Sequence, residues 1–266
     1  MTAPILLTGG TGTLGRLVVP RLRDAGHRVR VLSRGGHAPG DGVEYVTGDL
    51  TTGEGITAAV AGITTIVHCA GSNRGDEDKA RHLVRAAADA GTAHLVNVSV
   101  VGADRVPVTG RLDRALFGYY ASKAAAERVV AESGVPWTTL RATQFHDLIL
   151  MVARVLTRSP VVPVFAGFRF QPVDPGEVAA RLVELALDRP SGLVPDLAGP
   201  RVYGMDELVR GYLRVTRKHR LLLPVRLPGR AARALCAGAN LAPDQANGKR
   251  TWEDFLAEQA GRAGRA

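Results

Sequence analysis

The 266-residue chain holds two cysteines, Cys69 and Cys236, so it has neither a disulfide framework nor a cysteine metal site. Aromatic residues are 5% of the sequence, too few for the base-stacking platforms of a single-strand nucleic-acid binder. Lysine is scarce, with four residues, and acidic residues are outnumbered, 25 against 34 cations. No apolar run approaches the roughly 18 residues of a transmembrane helix. The first residues lack the basic, apolar and small-residue regions of a secretory signal. These absences predict a cytoplasmic protein with no membrane partner and no metal.

The net charge of +9 raises the question of nucleic acid. The cations are scattered, apart from Arg217, Lys218, His219 and Arg220, so no nucleic-acid partner is expected. A positive field of this kind also attracts an anionic cofactor.

What is present is an alternation. PILLT (4–8) reads as a buried strand and Thr13–Ala25 as a helix stopped by Gly26. HRVRVLS (27–33), VEYVTG (43–48), TTIVHCA (64–70), HLVNVSV (94–100) and VPWTTLR (135–141) read as further strands. Helices are predicted over Asp76–Ala90 and Tyr119–Ser133, with a looser segment before the second. Strands alternating with helices predict an α/β fold with a doubly wound parallel sheet. Past about residue 145 prolines break this rhythm, with helices expected at 176–188, 205–217 and 250–260.

Gly9, Gly12 and Gly15 stand at a spacing of three where the first strand gives way to the first helix. Such a loop lets a pyrophosphate approach the backbone, with the helix N-terminus pointed at its charge. Thr11, Thr13 and Leu14, between the glycines, belong to the same predicted cofactor-binding loop. At the end of the second strand an NAD site usually carries an acidic residue. Ser33 and Arg34 stand there instead, and both suit a 2′-phosphate, so NADP(H) is expected over NAD(H). Arg16 and His37 are candidate assistants.

Tyr119 and Lys123, in the stretch YYASK, are four residues apart and share a helix face. A lysine there is expected to lower the pKa of the phenol and make Tyr119 a general acid/base. Ser99, at the end of the fifth strand, is placed to hold a substrate oxygen. His146 and Asp147 follow the sixth strand and are weaker candidates, and Cys69 is read as a buried packing residue.

TGGTGTLG (8–15), Gly48-Asp49-Leu50, HCAG (68–71), NVSVVGAD (97–104), YYASK (119–123) and TLRATQFHD (139–147) together resemble the short-chain dehydrogenase/reductase superfamily. The loop spacing is most similar to the extended and atypical branches, including NmrA-like and sugar-nucleotide-epimerase-like proteins. The resemblance covers roughly the first 147 residues, and PVDPGEVAARLVELAL (172–187) is similar to the helix by which such chains return to the cofactor domain. It implies a Rossmann domain over 1–145 and a smaller C-terminal substrate-binding lobe over 146–266, with about 172–200 returning to the first. It also implies that Asp49 and Leu50 border the adenine and that Ala70 and Gly71 line the cofactor. Ser99, Tyr119 and Lys123 would form the catalytic set, Lys123 also holding the nicotinamide ribose. One departure is Ala142, where extended members often carry proline after the arginine.

The expected function is an NADP(H)-dependent oxidoreductase that reduces a carbonyl, or oxidises an alcohol, of a small organic substrate. The alternatives are an epimerase or dehydratase using bound NAD(P), and a non-catalytic NADP(H)-sensing regulator of the NmrA-like kind. The tyrosine–lysine pair favours an enzyme. Self-association into a homo-oligomer is left open.

Overall fold

A computed structural model describes residues 3–36, 40, 42–72 and 75–263; His37 lies outside the described residues. Two compact units are present, one comprising 1–99, 118–141 and 176–195, the other 100–117, 142–175 and 196–266.

The elements run β1 (Ile5–Thr8), α1 (Gly15–Asp24), β2 (Val29–Ser33), β3 (Val43–Thr47), α2 (Ile56–Val60), β4 (Thr65–His68), α3 (Asp76–Asp89), β5 (His94–Val100), α4 (Arg111–Ala131) and β6 (Trp137–Ala142). They continue with α5 (His146–Leu156), β7 (Val161–Phe165), β8 (Arg169–Phe170), α6 (Pro175–Leu187), β9 (Gly192–Leu193), β10 (Tyr203–Gly204), α7 (Met205–Val215), β11 (Leu221–Val225), α8 (Arg230–Cys236) and α9 (Trp252–Ala263).

The first unit is built on a seven-stranded sheet of order β3-β2-β1-β4-β5-β6-β9. Ile5 pairs with Val29 on one side and with Thr65 on the other, both in parallel. The order therefore reverses at β1, which leaves a crevice beyond the carboxyl ends of β1 and β4, where open α/β sheets bind ligands. Every residue of β1 and of β5 is buried, as expected for strands covered on both faces. This is the doubly wound Rossmann-like fold the alternation predicts.

Helix α4 begins at Arg111, well before the predicted start at Tyr119. The Asp113 carboxylate accepts the Gly110 N–H at 3.2 Å, anchoring a first turn in what reads as a loose arginine-rich stretch. Helix α5 and strands β7 and β11 were likewise not expected. VVPVF and LLLPV carry prolines, yet among the described residues they form a two-stranded sheet of their own, so a missing N–H can face away from the partner strand.

The second unit packs Ile149, Leu150 and Ala153 of α5 against Leu208 and Tyr212 of α7 and Trp252, Phe255 and Leu256 of α9. Tyr203 joins this core, and Phe170 packs on it.

Candidate functional site

The glycine loop sits at the sheet crevice as predicted. Gly9 has φ +72°, and a Cβ there would stand 2.6 Å from the Ala70 nitrogen, so strand β4's exit and the loop touch backbone to backbone. A Cβ at Gly15, the first residue of α1, would fall 2.2 Å from the Gly9 carbonyl oxygen. Gly12 differs. Its Cβ would meet only the Gly9 oxygen, at 3.3 Å, and the residue is exposed together with Thr11 and Thr13. Gly9 and Gly15 thus serve close packing, whereas Gly12 keeps open ground. Leu14 is buried at the N-cap of α1.

The loop forms one wall of a cavity of about 540 Å³. Gly9, Thr11, Gly12, Ser33, Arg34, Asp49, Leu50, Ala70 and Gly71 all line it; Thr13, Leu14, Gly15 and Lys123 do not. Arg34 is exposed at the end of β2, as is Arg16 on α1. Asp49 accepts the Thr51 N–H at 2.8 Å, which holds its carboxyl below the usual range, with Arg34 and Lys79 adding to the effect. Two cations and one carboxylate leave the lining net positive. A positive cavity at a sheet switch point, floored by an uncrowded glycine turn, fits a dinucleotide phosphate.

The lining also includes Ser72 and Lys79, which sequence reasoning missed. Lys79 Nζ donates to Ser72 Oγ at 2.5 Å and lies 3.4 Å from Asp76 Oδ1. Asp76, buried at the start of α3, accepts the Ser72 N–H at 2.8 Å. Its other oxygen stands 3.2 Å from Lys123 Nζ. Gly71 separates this ion pair from the cavity, since a Cβ there would lie 2.8 Å from Lys123 Nζ and 3.3 Å from Asp76 Oδ2. The only hint of Asp76 in the sequence is an acidic residue opening a helix, and nothing in the spacing ties it to Lys123.

Tyr119 and Lys123 share the expected face of α4, with Lys123 Nζ 5.9 Å from the Tyr119 ring centre. The predicted lowering of the phenol pKa is not found. Burial pushes Tyr119 up to about 12, and the Asp76 carboxylate adds to the rise. Lys123 spends its charge on Asp76 instead. Ser99 is buried at the end of β5, and among the described residues its hydroxyl has no hydrogen-bond partner.

Beside these, Thr8 Oγ1 and His68 Nδ1 share a 2.7 Å hydrogen bond across β1 and β4. Burial lowers the His68 pKa to about 3, so the ring is neutral. Cys69 is half-buried in the cavity wall, not enclosed as expected of a packing residue, and desolvation pushes its thiol up to about 12, so it stays protonated near neutral pH.

In the second unit His146 is fully buried, its ring 5.0 Å from Phe255 and 6.0 Å from Trp252, and among the described residues both ring nitrogens are unpartnered. Burial lowers its pKa to about 4. It is a core histidine. Phe165 and Phe168 line a separate cavity of about 450 Å³, whereas Tyr203 belongs to the core. Among the described residues no cluster could hold a metal ion, and no helix is long and apolar enough to cross a membrane.

A family model described as NAD(P)H-binding matches residues 9–155. A ceramide reductase of Caulobacter vibrioides is 31% identical over 88% of this chain and 76% of its own. A (4-alkanoyl-5-oxo-2,5-dihydrofuran-3-yl)methyl phosphate reductase of Streptomyces griseus is 33% identical over 66% of this chain. The matched region spans 60% of that relative's length. Among solved structures, an NADPH-dependent quinone oxidoreductase of Escherichia coli complexed with NADPH superposes with a TM-score of 0.79. It covers 96% of this chain and 99% of its own at 18% identity, a likeness of fold.

Proposed function

Because the chain belongs to the NAD(P)H-binding family, we propose that it is a member of the atypical branch of the short-chain dehydrogenase/reductase superfamily and an NADP(H)-dependent oxidoreductase acting on a carbonyl or alcohol of a small organic substrate. The observation that carries this reading is the cavity at the reversal of the sheet, lined by the glycine loop, Ser33 and Arg34. Exposed Arg34 offers charge-assisted hydrogen bonds to a 2′-phosphate, and no carboxylate stands beside it on β2 to repel one. Gly9, Gly12 and the amides opening α1 would receive the pyrophosphate, with Thr11 and Thr13 at its edge. Asp49 and Leu50 would border the adenine, and Ala70 and Gly71 the ring beyond.

A bound reduced nicotinamide supplies the hydride. The protein's part is the proton. With its pKa raised, the Tyr119 phenol is protonated near neutral pH and donates its proton to the substrate oxygen during carbonyl reduction. Ser99, with an unspent hydroxyl, donates a hydrogen bond to the same oxygen. Lys123, which the resemblance assigns to the cofactor's ribose, stands behind Gly71 in its ion pair with Asp76, so that role would require the Gly71 segment to shift, with Asp76 as the positioning residue. The residues from 146 onward would supply the substrate-binding lobe, with about 172–200 belonging to the cofactor domain.

A second reading is favoured by one observation. Lys123 is neutralised by Asp76 rather than aimed at the phenol, as would suit an NADP(H) sensor with no turnover. Screening ketones and quinones with NADPH, with Tyr119→Phe as the control, separates the two. Turnover that the variant loses supports the enzyme. Tight NADPH binding with no turnover of any carbonyl supports the sensor.

A further inference from the structure

Helix α5 is apolar on two sides. Ile149, Leu150 and Ala153 enter the core, while Leu148, Met151, Val152 and Val155 form a second stripe at helical spacing. In the parallel pair β7–β11, Leu221 is opposite Val161 and Leu223 opposite Pro163, and partners in register point to the same face. Val162 and Val164 are buried, so Val161, Leu221 and Leu223 form the outer face. These apolar side chains, on the helix and on the strands, are 38–66% exposed. Parallel sheets are normally covered on both faces; here one is bare.

The two apolar surfaces adjoin. Arg220 Nε donates to the Thr157 carbonyl at the end of α5, and the Leu221 N–H donates to the Pro160 carbonyl, both at 3.0 Å. The charge around them is mostly positive, with Asp147 in the first turn of α5 as the neighbouring carboxylate. Residues 148–161 and 217–230 contain seven arginines or lysines and no aspartate or glutamate. Among the described residues, Arg154, Arg158, Arg217, Lys218 and Arg226 take part in no ion pair.

We propose that this face docks the protein peripherally on an anionic membrane surface. The leucines, Met151 and the valines enter the headgroup–acyl boundary while the surrounding cations meet lipid phosphates. The absence of a spanning helix, from which no membrane partner is expected, does not bear on a peripheral face, which needs none. A second copy of the chain fits this surface poorly, since self-pairing would bring two sets of cations together with only Asp147 of each copy to offset them.

The test is co-sedimentation of the full chain with vesicles of phosphatidylcholine alone and of phosphatidylcholine mixed with phosphatidylglycerol. Two variants accompany it: Leu221→Ser with Leu223→Ser, and Arg158→Glu with Lys218→Glu. The second pair changes exposed side chains only, so it keeps the test valid if the first pair folds poorly. The wild type should pellet with the anionic vesicles and not with the zwitterionic ones, and release as salt rises. Each variant should bind at least about tenfold more weakly. Wild-type protein left in the supernatant with anionic vesicles would overturn the proposal, as would charge-reversed protein that binds them equally well. Sedimentation velocity showing a wild-type dimer that the serine variant dissociates, without vesicle binding, would overturn it in favour of self-association.

Discussion

Lys123 Nζ lies 3.2 Å from Asp76 Oδ2, and both side chains are buried behind Gly71. The lysine's charge is thereby directed to a carboxylate and not to the tyrosine one turn away. Asp76 also raises the Tyr119 pKa. Asp76→Asn should therefore lower that pKa, both by removing a negative charge and by freeing the lysine's positive one. In a pH profile of alcohol oxidation, which needs the phenolate, the rising limb should move to lower pH. A limb that stays in place or moves upward would contradict this role for Asp76.

Tyr119→Phe should lower turnover by roughly 10²–10⁴-fold, the usual worth of a positioned general acid, while leaving nucleotide affinity unchanged. Steady-state rates beside a fluorescence titration check both halves. Retained turnover would remove Tyr119 from the chemistry.

The three glycines of the loop should separate by role. Gly15→Ala collides with the Gly9 carbonyl and Gly9→Ala with the Ala70 backbone, so each should cost a few kcal/mol in urea unfolding. Gly12→Ala meets only the Gly9 carbonyl oxygen, at 3.3 Å, a contact relieved by a shift of a few tenths of an ångström. It should unfold within about 1 kcal/mol of wild type and yet bind nucleotide more weakly. Equal unfolding penalties at all three positions would mean that the loop is only a turn.

His146 carries a pH prediction of stability. Its folded pKa, about 4, lies below the unfolded value of 6.5, so the neutral ring stabilises the fold above 6.5. That contribution is lost as pH falls from 6.5 towards 4, up to about 3 kcal/mol for this group. His146→Phe, which keeps the ring stack with Trp252 and Phe255 and has no proton to take up, should flatten thermal stability over that range. An unchanged slope would show that another group governs it.

Much of the first unit is legible in the sequence because its signals are local. The loop glycines sit at a strand–helix junction, and nine of the thirteen residues read as cofactor-binding line one cavity. What escaped is non-local or blurred. Asp76 meets Lys123 only once α3 and α4 are side by side. The start of α4 is concealed by Gly110 and Gly118, and helix α5 follows the sixth strand closely behind Phe145, with no side-chain cap to announce it. Strands β7 and β11 hide behind Pro163 and Pro224.

The central claim is that the cavity prefers NADP(H) through Arg34. The direct measurement is a fluorescence titration of wild type and Arg34→Ala with NADPH and NADH. NADPH should bind more tightly to the wild type, and the variant should lose about 10- to 100-fold of that affinity, the worth of one charge-assisted contact, with NADH unaffected. Equal or tighter binding of NADH by the wild type would contradict the account and favour an epimerase-type use of NAD.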